Sequence, residues 1–92
     1  MGLFDKLKDV NEMRKQAKQI ELVLAGEQVT GSSSGGKLKI TMDGNQKVLS
    51  VEVAPEVAGD KSEVARHIRS ALEDVISKHK KLLSSKFGSI MG

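Results

Sequence analysis

From Leu3 to Ala25 the chain contains neither proline nor glycine, and Leu3, Val10, Ala17 and Leu24 recur every seven residues, with Met13 and Ile20 interleaved. Such spacing keeps one apolar seam facing a partner helix, as in coiled-coil packing, and Lys6 is its one polar member. A helix over residues 3–25 is predicted, closed by Gly26. The period then changes. Leu38, Ile40 and Met42 alternate with Lys37, Lys39 and Thr41, and Leu49, Val51 and Val53 alternate with Ser50 and Glu52. Two strands, about residues 37–42 and 48–53, each with one apolar face, account for this, so Leu38 and Val51 are expected to be buried. Asp43-Gly44-Asn45 turns between them. The apolar set is even-numbered in the first strand and odd-numbered in the second, so facing residues share a side only if the loop holds an even number of residues. A shorter strand over about residues 28–31 pairs alongside. Ser32 to Gly36 is left as a flexible loop in which Ser33 bears on nothing.

Pro55 ends the last strand, and Asp60 with Glu63 forms a capping box that opens a second long helix over residues 61–85. Val64, Ile68, Ala71, Leu72, Val75, Ile76, Leu82 and Leu83 make a stripe broader than a coiled-coil seam, suited to lying on a sheet and a helix at once. Residues 88–92 read as a short flexible tail. The fold class is α+β: a long N-terminal helix, a three-stranded antiparallel sheet and a long C-terminal helix. Each helix runs roughly 35 Å at ~1.5 Å per residue, whereas the strands reach only about 20 Å. The helices must therefore overhang the sheet. Their free ends, near Leu3 and Phe87, are expected to project together, with Phe4 meeting Phe87 at the tip.

At 92 residues and 38% hydrophobic content the chain, residues 1–92, is expected to be one domain with a modest core, a size at which pairing with a second copy commonly adds stability. Lys and Arg total 15 against 12 acidic residues, a formal charge of +3, which suits a polyanionic partner without requiring one. The absence of cysteine removes disulfides, thiolate metal sites and thiol nucleophiles. No stretch is apolar enough to span a bilayer and no signal-peptide pattern is present, so a cytoplasmic location is expected. Met1-Gly2 begins like a myristoylation site, but Lys6 stands where that pattern needs Ser or Thr.

The order of several segments resembles the YbaB/EbfC nucleoid-associated proteins over nearly the whole chain. Met13-Arg14-Lys15-Gln16-Ala17-Lys18-Gln19 is similar to that family's first helix, and Val29-Thr30-Gly31 with the following Gly-rich loop to its entry into the sheet. Gly36-Lys37-Leu38-Lys39-Ile40-Thr41-Met42-Asp43-Gly44 resembles its Gly-Leu-Val-Lys-Val strand and turn, and Val51-Glu52-Val53-Ala54-Pro55 its Val-x-Ile-Asp-Pro segment, with Ala54 where the family prefers Asp. The resemblance implies a tweezers-like homodimer whose helices straddle double-stranded DNA with weak sequence preference. It also implies a place in the nucleoid, with effects on its organisation and on gene expression.

The chemistry of the chain fits binding better than catalysis, and neither a cofactor nor a small-molecule substrate is expected. Gly31-Ser32-Ser33-Ser34-Gly35-Gly36-Lys37 matches the core of a P-loop, but Leu38 replaces the magnesium-binding hydroxyl and a strand follows where a helix is needed. His67 and His79 are too far apart to ligate one metal from one helix face, and His79 is expected in the packing near the tip. No Ser, His and acid spacing argues for nucleophilic catalysis. Helix 1 carries Lys6, Lys8, Arg14, Lys15 and Lys18 among acidic neighbours, whereas after Asp74 the second helix carries Lys78, Lys80, Lys81 and Lys86 and no acid. By itself this run complements the helix macrodipole; with the resemblance, these lysines and Arg14 become the candidate phosphate contacts. Phe4 and Phe87 are the only aromatic residues, so stacking platforms for single strands are missing and duplex DNA is the better ligand. Asn11, Gln16 and Gln19 are within reach of base edges, yet no sequence-reading motif accompanies them. The alternative is a peripheral membrane or protein-interaction adaptor using the amphipathic Gly2 to Lys8 segment and the apolar helix tips.

Overall fold

The structure is a computed structural model that describes the backbone of residues 3–91 and the side chains of residues 10–88. Its order is α1 (Leu3–Ala25), β1 (Gln28–Ser32), a 3-10 turn (Ser34–Gly36), β2 (Leu38–Asp43), β3 (Val48–Val53), a short α2 (Pro55–Ala58) and α3 (Lys61–Met91). The strands form one antiparallel sheet in the order β1-β2-β3. This is the α+β arrangement that the alternating periods call for. Both helices outrun the sheet, and the molecule measures 64 × 22 × 20 Å.

Leu38 pairs with Val53 and Ile40 with Val51, the even-with-odd register that a shared apolar face demands. Between Thr41 and Met42 the register shifts, so Met42 faces Val48. The hairpin turn is held by Asp43, whose Oδ1 accepts the amides of Asn45 at 2.8 Å and Lys47 at 3.0 Å. Left-handed backbone falls on Gln46 (φ 66°) and not on Gly44. Gly44 has another use: a Cβ there would lie 2.6 Å from Leu24 O, so α1 ends directly against the turn.

The core is the face of β2 covered by α3, where Leu38, Ile40 and Met42 meet Ala71 and Val75, with Val29 beside them. The closest approach is at Gly31, where a Cβ would collide with the Val75 amide and sit 2.5 Å from Ala71 O. Only a residue without a side chain lets the helix backbone reach the strand this nearly. α3 thus lies over β1 and β2, and β3 is left uncovered. Val51 is 53% exposed, against the burial expected for it. The alternation correctly assigns it to the core face; no element of the same chain covers that part of the face.

Three further expectations change. Asp60 caps α3 by accepting the amides of Ser62 (2.9 Å) and Glu63 (3.2 Å), but the Glu63 carboxylate turns to Arg66 at 2.6 Å, so the box is half made. The chain after Pro55 is a helical turn, Pro55–Ala58, in which the proline occupies a first-turn position whose missing N–H costs nothing. The second helix does not stop at Ser85, and a flexible tail from Gly88 is not found, because α3 continues to Met91. No proline interrupts it, and a lone glycine costs a helix only about 1 kcal/mol.

Ser33 is also not idle. It is 4% exposed, and its Oγ accepts the Leu38 amide at 2.9 Å while standing 2.7 Å from His67 Nδ1. Ser33→Ala should therefore cost about 1–3 kcal/mol, as a buried donor left unpaired does, and Leu38→Ala on the order of 2–5 kcal/mol. Gly31→Ala should cost at least about 1–3 kcal/mol by overpacking against helix backbone. Gly59→Ala, where a Cβ meets nothing within 4 Å, should be neutral or mildly stabilising. Urea denaturation at fixed protein concentration ranks the four, and a harmless Gly31→Ala would mean that α3 does not rest on β1.

Candidate nucleic-acid interface

Two helical segments project beyond the sheet. On α1 every side chain from Val10 to Val23 is exposed and Leu24 is the first buried one among those described, while on α3 no described side chain after His79 is buried. Phe87 lies beside Gln16, Gln19, Ile20 and Val23, where the two helices border an apolar crevice of about 510 Å³. The end of α3 therefore reaches the C-terminal half of α1, and α1 runs on past it. The expected contact of Phe4 with Phe87, and the candidate residues Lys6 and Lys8, lie outside the described side chains, as does the amphipathic Gly2 to Lys8 segment. Gln16 and Gln19 line the crevice, so two of the three polar residues considered for base contact border α3 instead.

The remaining candidate cations divide into two kinds. Lys18 lies 3.9 Å from Glu21 along the exposed helix surface, a weak pair. Lys86 is 2.7 Å from Glu27, tying the end of α3 to the start of β1. Lys78 is 3.1 Å from Asp74 and donates to Thr30 O at 3.1 Å, while Asp74 accepts the Ser32 amide at 2.8 Å. Together Asp74 and Lys78 occupy the outer edge of β1, satisfying backbone groups that an open edge would offer to another strand. The Ser32 amide above all, then Lys78, holds the Asp74 carboxyl below its ordinary value, with Lys81 adding to the field. Arg14, Lys15, Lys80 and Lys81 have no ion-pair partner among the described residues. The hairpin's Lys37 is paired with Glu56 at 2.9 Å.

Neither histidine lies at a tip. His67 is buried beneath the Gly/Ser loop, with Ser33 on Nδ1 and Glu63 3.7 Å from Nε2. This Ser, His and acid grouping was not legible from spacing, because the serine arrives from another element. Its hydroxyl is buried and engaged by Leu38, so no substrate carbonyl can approach it, and the group serves as a strut. His79 is buried where α3 leaves the sheet and donates from Nε2 to Gly44 O at 2.6 Å. Among the described residues no cluster of three or more His, Cys, Asp or Glu is placed to hold a metal ion, and no helix is long and apolar enough to cross a membrane.

Apart from Val10, Met13, Ile20, Leu22 and Val23 on α1, the main exposed apolar surface is the uncovered face. Val48, Val51 and Val53 on β3 are joined by Ile68, Leu72 and Ile76 on α3. The latter follow one another at four-residue steps and make one stripe. At 100° per residue, Leu72 and Ile76 lie on one side of the buried Ala71 and Val75, and Asp74 and Lys78 on the other. Since Asp74 and Lys78 reach β1, the stripe faces the β3 side.

Comparison with known proteins places these features. The sequence pattern of the YbaB/EbfC DNA-binding family matches residues 1–92. A nucleoid-associated protein of Mycobacteroides abscessus is 32% identical over 88 residues, spanning 94% of this chain and 77% of that protein. One from Synechococcus elongatus is 28% identical over 89 residues, spanning 96% and 79%. An uncharacterized Helicobacter pylori protein of known crystal structure has the same fold, with a TM-score of 0.79 at 18% identity over 100% of this chain and 99% of that one.

Asp74 gives a test of the β1 edge. A carboxyl whose pKa is lowered on folding contributes stability that is present above its unfolded value, about 4, and is lost as the pH falls through its folded value. Asp74→Asn keeps an oxygen for the Ser32 amide but cannot titrate. Between pH 6 and pH 3 the wild type should lose more urea resistance than Asp74→Asn does. Parallel losses would remove Asp74 from the edge contact.

Proposed function

The chain belongs to the YbaB/EbfC DNA-binding family, and from that premise we propose that it works as a homodimer whose projecting helices hold double-stranded DNA by its phosphates, with weak sequence preference. The observation that carries this reading is that four cations without an ion-pair partner, Arg14 and Lys15 on α1 and Lys80 and Lys81 on α3, lie on the parts that leave the sheet, although Lys39, Lys47, Lys61 and Arg69 on the body are likewise unpaired among the described residues. Lys18 joins them, since an exposed pair at 3.9 Å yields readily to a phosphate. Lys78 and Lys86 are committed within the fold and contribute less, while Lys6 and Lys8, outside the described side chains, remain candidates from the sequence. Phosphate contacts carry no base information, which accounts for the weak preference. The place of action that follows is the nucleoid, in the cytoplasm, where such binding influences nucleoid organisation and gene expression. No catalysis, cofactor or small-molecule substrate enters the proposal.

The second copy is supported by the uncovered face. A protein of this size has little core to spare, and six large aliphatic side chains at the β3 side are 37–53% exposed. A two-fold related copy meets that face with the identical surface, so each α3 stripe and β3 strand covers the other's. Open apolar edges are otherwise a hazard, and the β1 edge is closed by Asp74 and Lys78 while the β3 side has no such guard.

Light scattering at micromolar concentration should give twice the chain mass of 9.9 kDa. Leu72→Glu should halve it or abolish folding, and a monomeric wild type would remove the dimer. For DNA, Lys80→Glu with Lys81→Glu is set against Lys37→Glu with Lys39→Glu, each titrated with duplex over a range of salt. Every phosphate that is no longer neutralised lowers the steepness of log K against log salt by about 0.9, and in a dimer the α3 pair neutralises up to about four phosphates. The hairpin variant should change that slope little, and different duplex sequences should weaken in parallel. Abolished binding in the hairpin variant alone would move the DNA to the polar sheet face.

A further inference from the structure

We infer that His79 and Asn45 are positioning residues for DNA binding, which set the posture of α1 without touching DNA. The inference rests on the reading that α1 is one of the arms holding the duplex. Side chains from Val10 to Val23 of α1 are exposed and the helix meets α3 there only along the crevice beside Phe87, so the anchor at its root bears most on its direction. The root is the hairpin turn. The Gly44 amide donates to Leu24 O at 2.9 Å, a carbonyl that also accepts the Glu27 amide at 3.1 Å, and shares Glu27 O at 3.1 Å. Asn45 Nδ2 donates to Glu21 O at 2.9 Å, about one turn earlier on the same helix. Two anchor points a turn apart fix both the tilt and the rotation of a rigid rod, whereas one would let it pivot.

The turn is itself anchored to α3. His79 Nε2 donates to Gly44 O at 2.6 Å, so the Gly44 backbone is bonded on its amide side to α1 and on its carbonyl side to α3. Among the described side chains His79 is also the last buried one on α3, and Leu24 the first on α1. The two arms leave the body at one elbow, and this imidazole lies inside it. A small apolar residue there would fill space but leave the carbonyl unpaired and the turn free to shift.

The consequence for binding is specific. An arm that wanders must be immobilised when DNA is bound, which weakens affinity by a constant factor; the phosphates neutralised in the complex stay the same in number. Removing an elbow bond should therefore lower the line of log K against log salt without changing its slope, whereas removing a phosphate-binding lysine changes the slope. The two roles separate in one titration.

The variants are His79→Leu, which has no donor, His79→Gln, which restores an amide N–H, and Asn45→Ala at an exposed position. Posture is read from spin labels on Glu12→Cys and Glu73→Cys, with labelled chain diluted into unlabelled excess so that each pair lies within one chain; the protein has no cysteine of its own. His79→Leu and Asn45→Ala should each broaden the label distance distribution and weaken duplex binding on the order of tenfold at every salt concentration. His79→Gln should recover both. If His79→Leu fails to fold, Asn45→Ala decides alone. Unbroadened distances, or a changed salt slope, would overturn the positioning role. A wild type that binds no duplex would instead overturn the DNA reading, and the distances would still report whether the elbow holds α1.

Discussion

The seating of α3 on Gly31 is the contact on which the rest of the molecule depends. A strand that presents no side chain at its centre lets a helix backbone come down onto it, and the helix then lies along β1 and β2 instead of crossing the sheet. From that line several things follow. Asp74 and Lys78 fall beside the outer edge of β1 and bond its backbone groups. Leu38, Ile40 and Met42 are covered, and the equivalent positions of β3 are not. A helix on this line with 31 residues must also run past the end of the sheet, which makes an arm of its last turns.

Gly44 is a second point of close approach and has the complementary effect. At Gly31 absence of a side chain joins helix to sheet; at Gly44 it joins the two helices through a turn. Leu24 rests on it and His79 bonds its carbonyl, so the sheet acts as a clamp from which both helices emerge side by side. Neither glycine is required by its φ angle, since left-handed conformations occur at Gly35, Gly36 and Gln46. Their common property is space.

Much of this was legible in the sequence because period reports which face a residue takes. The seven-residue recurrence in α1, the strand alternation and the even-with-odd parity of the hairpin pairing were all readable from the spacing of apolar positions, though not the particular register that sets Leu38 against Val53. Coverage was not, since alternation says that Val51 shares a face with Ile40 but not whether a helix of the same chain extends over both. The strut formed by Ser33, His67 and Glu63 was illegible for a related reason, as its members are brought together only when α3 is laid on β1. The continuation of α3 through Gly88 shows that a glycine is a weak stop without proline or a cap to reinforce it. Among the candidate cations, sequence could group Lys78, Lys80, Lys81 and Lys86 as one basic run. It could not show that the first and last of them are committed to partners in β1, or just before it, distant in the chain.

That division of the cations bears on how a nearly neutral chain comes to suit a polyanion. The excess of basic over acidic residues is small, and a uniform surface would present a duplex with weak attraction. Several of the acids are, however, consumed locally: Asp74 on Lys78, Glu27 on Lys86, Glu56 on Lys37 and Glu63 on Arg66. Unmatched charge remains on Lys39, Lys47, Lys61 and Arg69 of the body, but that of Lys80, Lys81, Arg14 and Lys15 lies on the projecting helices, where solvent and ligand have access from several sides. The apolar excess of the body is meanwhile gathered at the β3 side of the sheet, with Val10, Met13, Ile20, Leu22 and Val23 exposed separately on α1. Separation of the two surfaces matters physically, because a face that covers its twin must be dry and one that meets phosphates must be charged. On a chain of this size they can coexist only if the arms extend beyond the sheet, which is the geometry that the seating of α3 on Gly31 imposes.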